Sequence, residues 1–531
     1  MSPHPWRWPL AYAAVGTVLV TFAFVLHLRS ELVWDDVYLV AQSPLIRDPH
    51  GLLPLLTHDL WGAATGGATQ LYHPLPVATV WLQARLSTDP AFYRAFNVVA
   101  HGACAGLFLV WTRRRLGWSG GLAAIVSIVF LVHPSVTEVV MWITGRHDSL
   151  ATLAVLGALL AWPGDGAVRW GRMAGASLLV LAAFFCKEPY VVAPAILVLC
   201  HVHQELSAGR SLKTRSTWTL GLPFGAIAIG FAVRAALHIP SSSDQLHAPL
   251  GTHLRSTATI LAHYALQLVT FGDGRTTESW APLSAAASAV VLIGGATLLA
   301  LLGRSARRGS RDAATALLGC TWFAVALSPH VVSLPTIGMF GNRYAYFPLL
   351  GFCLVLGAGL HSIASAVEEK APRLRVPLIG ATGVLVLLMT LQTAAEASHW
   401  QDELTLFGAD VDAAPDDAHS LYHYATAVGH RSGCSAAIPL YERAVASDPR
   451  YQRAWHNLAG CLIDERRWPD AVVAGQRALD LAPDGARDEF NLGIALMGAG
   501  RQAEGLPHLE RANRLDPSYA PAREALAHAP R

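Results

Sequence analysis

Two groups of polar residues stand beside apolar runs, where acidic side chains are costly unless they reach water or serve a purpose. The first is Trp34-Asp35-Asp36. The second runs from His133-Pro134-Ser135-Val136-Thr137-Glu138 through Trp142 to Gly145-Arg146-His147-Asp148. Paired carboxylates at a membrane surface suit inverting glycosyl transfer, in which one takes the proton of an acceptor hydroxyl as that oxygen attacks an anomeric carbon. A lipid phosphate leaving with its charge calls for Arg or Lys, and Arg146, Lys187 and Arg343 stand at predicted outer helix ends. Each group has a plain reading too. Asp35 and Asp36 equally suit a solvated pair that stops a helix, and Glu138 with Arg146 equally suits a structural ion pair.

The elements that must position these residues follow from composition. Of 531 residues, 53% are hydrophobic and only 14% charged, against about 25% charged in soluble domains. The apolar residues fall in runs of about 18 to 23, the length of a bilayer-crossing helix, so the chain is a polytopic membrane protein and not an ordinary cytosolic enzyme. Net charge is +2, from 39 basic and 37 acidic residues, which provides no field for nucleic acid. The first run, roughly 10–28, follows Arg7 without a small-residue cleavage site, and reads as a retained helix. Further runs lie near 92–112, 119–133, 148–162, 173–187, 190–202, 218–237, 281–303, 312–331, 344–365 and 376–396.

Basic clusters set orientation, because cytoplasmic loops carry the excess of Lys and Arg. They are Arg113 to Arg115; Arg169 and Arg172; Arg210, Lys213 and Arg215; Arg304, Arg307, Arg308 and Arg311; and Lys370, Arg373 and Arg375. All fall on one side if the chain crosses about eleven times, with 256–271 an interfacial or re-entrant helix on the other side. The amino terminus is then cytoplasmic. The stretch 29–90 is a large outer loop whose Trp34, Trp61, Tyr72 and Trp81 suit surface-lying helices. The polar segment from about 398 onward is periplasmic in a bacterium, or extracellular.

That polar segment is a repeat. Pro415, Pro449, Pro483 and Pro517 are 34 residues apart each time, the tetratricopeptide period. Consensus positions include Ala437, Tyr441 and Ala444, then Trp455, Leu458, Ala459, Ala471 and Ala478, then Leu492, Gly493 and Ala512. Repeats at about 418–451, 452–485 and 486–519, followed by a capping helix, make the minimum stack that buries a continuous core. Such arrays form a concave surface, which suits a protein or peptide partner. The bland alternative is a cap over the membrane domain. Cys434 and Cys461 fall where the second helix of one unit packs beside the first of the next, and an oxidising compartment would let them bridge; two buried free thiols are the alternative.

In order along the chain, Trp34-Asp35-Asp36, Tyr72-His73-Pro74-Leu75, Phe96-Asn97-Val98-Val99-Ala100-His101, His133-Pro134 to Glu138, Gly145-Arg146-His147-Asp148-Ser149-Leu150, Lys187-Glu188 and Gly341-Asn342-Arg343-Tyr344-Ala345-Tyr346-Phe347-Pro348 resemble the transmembrane and tetratricopeptide repeat-containing O-mannosyltransferases of the glycosyltransferase C superfamily. The resemblance covers most of the chain. It implies an all-α fold in which a glycosyltransferase C membrane bundle, residues 1–397, precedes a tetratricopeptide α-solenoid, residues 398–531. It implies transfer of a monosaccharide, with mannose the candidate, from a polyprenyl-phosphate donor to Ser or Thr of exported proteins, with inversion. Asp35 is then the base, Asp36 holds the loop or orients the acceptor, and Glu138 contributes from the neighbouring turn. Arg146, Lys187 and Arg343 bind the donor phosphate, and His73, His133, His147 and Asp148 are candidates for the pocket. His73 and Asn342 depart from the family's usual residues, which bears on sugar choice.

No cofactor is expected, the lipid-linked sugar being a substrate. No metal is expected either: His201-Val202-His203 has suitable spacing but no matching Cys or acidic cluster. Two competing readings are transfer to a glycan or lipid, and a non-catalytic membrane scaffold. A transporter is disfavoured because the acids sit at helix ends and not near the midplane.

Overall fold

The computed structural model describes residues 7–58, 71–163, 168–209, 219–239, 249–272 and 274–528. The fold is all-helical in character, as the apolar periodicity predicts, and divides into two compact units. One comprises 1–274 with 280–402, the other 275–279 with 403–531. The division falls past the expected 397/398 boundary because the helix Arg375–His399 runs on and Trp400 is buried behind it.

In the first unit, five helices among the described residues are long and apolar enough to cross a membrane: Pro90–Leu116, Glu188–Ser207, Ala285–Arg307, Asn342–Lys370 and Pro372–His399. Gly120–Val132 with Pro134–Met141 makes a sixth if that pair, bent by 56°, is one span. Ala11–His27, Trp170–Cys186 and Gly221–Ala236 are apolar but shorter. The helix Leu250–Thr270, which covers the expected interfacial stretch, has the length of a span but not its apolarity. Val290, Ile293 and Leu301, and likewise Val376, Ile379 and Leu387, are exposed on their helices; apolar surface of this extent suits lipid.

Local chemistry fixes the helix ends that matter. Asp89 accepts a hydrogen bond from the Ala91 amide at 2.9 Å, and Pro90 occupies the first helical position, where its missing N–H costs nothing. Ser119 caps Gly120–Val132. That helix stops before Pro134, which has no amide proton to continue it. The chain then makes short turns, Pro134–Val136 and Thr137–Met141, before Arg146–Ala161 begins. The helices Arg311–Leu327 and Tyr346–Lys370 touch through Gly319 and Gly351: a Cβ on either would lie 2.5 or 2.6 Å from the other's carbonyl oxygen, a small-residue contact typical of membrane helices.

The second unit is a stack of antiparallel helix pairs. Glu403–Ala413 leads, followed by Ala418–Ser432 with Cys434–Ser447, Gln452–Asp464 with Trp468–Leu481, Ala486–Gly498 with Gln502–Leu515, and the terminal Ala520–His528. The consensus residues Ala437, Tyr441, Ala444, Leu458, Ala459 and Ala471 form its core. Cys434 and Cys461 are disulfide-bonded, 27 residues apart. Residues 275–279 are held as an extended stitch: the Thr276 and Thr277 hydroxyls both donate to Asp410 at 2.7 Å, and their amides do so at 2.9 and 3.0 Å. Burial pushes the Asp410 carboxyl up to about 6 against the pull of those four bonds.

Candidate active site

Asp35 and Asp36 follow Trp34, whose φ of 56° is left-handed and costs energy for a residue with a Cβ. The reversal sends the two carboxylates to different surroundings. Asp36 is fully buried. Its oxygens accept from the Ile143 amide at 2.9 Å and from the Thr144 amide and hydroxyl at 3.0 Å each. Burial pushes its carboxyl up to about 6, opposed by the Arg94 guanidinium and these hydrogen bonds. Asp35 is half-buried and makes none of these contacts.

Three more side chains hold the 141–146 turn. Arg94 donates to the carbonyls of Met141, Ser30 and Glu31, tying the first loop to the turn. Asn97 donates to Trp142 O at 2.8 Å. Arg146 is wholly enclosed: it donates to Ile143 O at 3.1 Å, Gln83 Oε1 at 2.5 Å and Tyr93 O at 3.1 Å, with the Phe96 ring 4.9 Å from its guanidinium carbon. Arg146, expected to bind the donor phosphate, therefore braces the turn; it is not among the residues that line the Tyr344 crevice described below, and it does not pair with Glu138. His133, expected in the pocket, is likewise enclosed, accepting from the Ser135 amide at 3.2 Å and contacting Leu268 O at 3.0 Å, so it holds the helix break; it is not among the residues that line the Tyr344 crevice.

The other expected residues converge. Glu138 accepts from the Arg343 amide at 2.8 Å and pairs with its guanidinium at 2.5 Å. That guanidinium also donates to the Tyr344 hydroxyl at 3.1 Å and lies 5.6 and 5.4 Å from the rings of Trp34 and Trp142, which stack on each other at 5.1 Å. Arg343 and Lys187 flank one ring, Tyr344, at 4.6 and 5.5 Å from its centre. Lys187 pairs with Asp148 at 2.5 Å. Asp148, Arg343 and Tyr344 line a narrow crevice together with His330 and Tyr190. Next to it, His73 pairs with Glu188, whose other oxygen meets Arg234 at 2.5 Å and the Tyr72 amide at 3.1 Å. The His73 and His147 rings are 4.8 Å apart. Trp142 Nε1, His147 Nε2 and His330 Nδ1 are buried with no hydrogen-bond partner among the described residues.

Sequence reasoning left Arg234, Tyr344 and His330 unassigned, and gave Glu188 no role. Arg234 carried a signal: an arginine inside an apolar run marks function or a buried partner by default. Tyr344 and His330 carried none, since a ring beside an apolar helix reads as packing.

No family model matches the chain. Over 81% of its length it is 24% identical to the human protein O-mannosyl-transferase TMTC1, and over 96% it is 21% identical to human TMTC3. Over 82% it is 23% identical to the Caenorhabditis elegans protein O-mannosyl-transferase F38B6.6. The chain is thus similar, over most of its length, to protein O-mannosyl-transferases. It spans 54%, 55% and 63% of these three proteins, little more than half the length of the curated relatives it matches. Among solved structures, YrrB, described as a TPR protein with an unusual peptide-binding site, aligns at 17% identity with a TM-score of 0.24, covering 31% of this chain and 98% of that one. A MamA structure aligns at 21% identity with a TM-score of 0.23, covering 25% and 74%.

Proposed function

We propose that the chain is a membrane glycosyltransferase acting on proteins, moving a monosaccharide, with mannose the candidate, from a polyprenyl-phosphate donor to Ser or Thr of an exported protein with inversion. The observation that carries this is the gathering of Glu138–Arg343 and Asp148–Lys187 around the Tyr344 ring, with Arg343 also against the stacked rings of Trp34 and Trp142, and Trp34 next to Asp35 in sequence. The homology to protein O-mannosyl-transferases supports the reaction class.

In this reading Asp35 takes the acceptor proton as the hydroxyl oxygen bonds to the anomeric carbon. Arg343 and Lys187 steady the departing phosphate. Both are held by carboxylates and ring faces, so their charges are oriented before the donor arrives, as electrostatic stabilisation requires. Glu138 and Asp148 position those cations. His73, His147 and Glu188 form the second wall, where the buried unpartnered ring nitrogen of His147 and the indole N–H of Trp142 suit sugar hydroxyls. Asp36, Arg94, Arg146 and His133 shape the turn. The repeats hold the acceptor chain; the amino terminus is cytoplasmic and the repeats lie outside, in a bacterium at the inner membrane. No cofactor or metal enters this scheme.

The test is to incubate membranes carrying the protein with labelled polyprenyl-phosphate mannose and follow label into protein, glycan and lipid fractions. Label in protein at Ser or Thr supports the reading; label only in glycan or lipid overturns the acceptor, and none in any fraction overturns the reaction. Cysteine labelling near Asp35 and Ser518 in intact cells supports the topology, and labelling only after permeabilisation overturns it.

A further inference from the structure

The helices that carry the site have other ends, which the transfer does not use. Pro90–Trp111 starts beside the site with Arg94 and Asn97 and ends in the Thr112–Leu116 turn. Ala193–Ser207 starts just after Lys187 and Glu188. Arg311–Leu327 runs the opposite way and finishes near His330. These helices have 22, 15 and 17 residues, which at about 1.5 Å each is about 22 to 33 Å, so their far ends lie roughly a hydrocarbon layer away from the ends that carry the site.

A crevice of about 330 Å³ opens there, lined by Arg114, Arg115, His203, Gln204, Arg311 and Thr315 among others, with no acidic side chain among its lining residues. Arg115 is anchored, donating to Leu160 O at 3.0 Å and to Trp162 O, whereas Arg114 and Arg311 are exposed on the rim. Two carboxylates adjoin lining residues in sequence: Asp312, which pairs with His361 at 2.9 Å and with Ser362 at 2.6 Å, and Glu205, which is fully buried and is not among the residues that line the crevice. His203, Ser207 and Arg311 also line a second hollow of about 660 Å³, walled by Leu199, Val202, Leu206, Leu317 and Leu318. A cationic crevice therefore opens into an apolar groove.

This pairing selects its occupant by chemistry. A soluble anion would use the arginines and leave the groove empty; a neutral lipid would use the groove and leave the arginines unmatched. Basic pockets between membrane helices hold anionic headgroups, each nearby Lys or Arg contributing about 1 kcal/mol. We propose that crevice and groove together bind an anionic phospholipid of the leaflet opposite the catalytic end, its phosphate between Arg114 and Arg311 and one acyl chain along Val202, Leu206 and Leu317.

The test uses the purified full chain in a neutral detergent, with phosphatidylglycerol and phosphatidylcholine titrated and bound lipid counted by native mass spectrometry. Phosphatidylglycerol is retained in preference to phosphatidylcholine, and R114Q with R311Q weakens that retention by about 30-fold. Val202→Trp, which fills the groove and keeps every charge, weakens it as well, and the chain-free headgroup glycerophosphoglycerol does not compete. Equal retention of the two lipids by the unmodified protein overturns the proposal whatever the variants do. Competition by the free headgroup at the lipid's own concentration also overturns it, in favour of a soluble anion.

Discussion

The same residue types do different work a few ångströms apart. Around the 141–146 turn, Asp36, Arg94 and Arg146 are enclosed and each is saturated by backbone or neighbouring side chains. Around Tyr344, Glu138 with Arg343 and Asp148 with Lys187 are also paired, but side chain to side chain and beside rings, and Arg343 and Asp148 line a narrow crevice. A charge held mainly by backbone groups fixes that backbone; a charge paired with another side chain beside a crevice can exchange its partner for a ligand. Residues close in sequence split between the two regions: Arg146 is enclosed, whereas Asp148, two residues on, lines the crevice.

The sharpest break between the regions is catalytic. Asp35→Asn keeps size and loses charge, so transfer of label to protein falls about 10²- to 10⁴-fold while the detergent-solubilised protein melts as before. If Asp36→Asn abolishes transfer and Asp35→Asn does not, the roles are exchanged; if both retain turnover, the base lies elsewhere.

Stability should divide the other way. Asp36→Ala leaves the Ile143 and Thr144 donors and Arg94 without their buried partner, and costs about 3 to 5 kcal/mol, read as a fall in melting temperature. Asp35→Ala costs less than about 1 kcal/mol. Equal losses would erase the distinction. The repeats give a control outside both regions: reducing Cys434–Cys461 closes no crevice and releases a 27-residue loop, lowering repeat stability by about 2 to 4 kcal/mol with transfer retained at low temperature.

Arg343→Lys keeps a cation but loses the planar fork shared by Glu138 and Tyr344, and raises KM for the lipid donor about tenfold. Arg146→Lys should instead lower the melting temperature with KM unchanged; a shift in KM alone would put Arg146 back on the phosphate.

The smallest effect is a pH limb. Burial holds the Asp36 carboxyl near 6 against an ordinary 3.8, so between those values the folded chain binds the proton more tightly than the unfolded one. Its contribution to stability is therefore fully present below about 3.8 and is lost as pH rises through about 6. Activity runs the other way, because the ionised clasp holds Ile143 and Thr144 most firmly: turnover falls on acidification through about pH 6, and Asp36→Asn, neutral at every pH, shows a flat profile at the reduced level of the protonated form.

How much of this was legible depended on range. The helices, the 34-residue repeat and the helix stop at Pro134 are local in origin, written in apolar runs and in a residue without an amide proton, and they are read without neighbours. The gathering of Glu138, Lys187 and Arg343 was legible as separate motifs at helix ends, each lying beside a span. The enclosure of Arg146 and His133 was not, since it depends on Gln83, Tyr93 and Leu268 arriving from other helices to contact them. Arg234 was visible as an arginine in an apolar run, but its partner Glu188 lies 46 residues away.

The stitch at Thr276 and Thr277 has a consequence in time. Asp410, which accepts all four of their hydrogen bonds, lies 134 residues after Thr276. At ~5 to 20 residues per second of synthesis, those hydroxyls and amides wait about 7 to 27 seconds for their acceptor. Helices Ala285–Arg307, Arg311–Leu327, Tyr346–Lys370 and Arg375–His399 are all made in the interval, so the stitch closes only after the apolar part of the chain is complete, and it dates the arrival of the repeats.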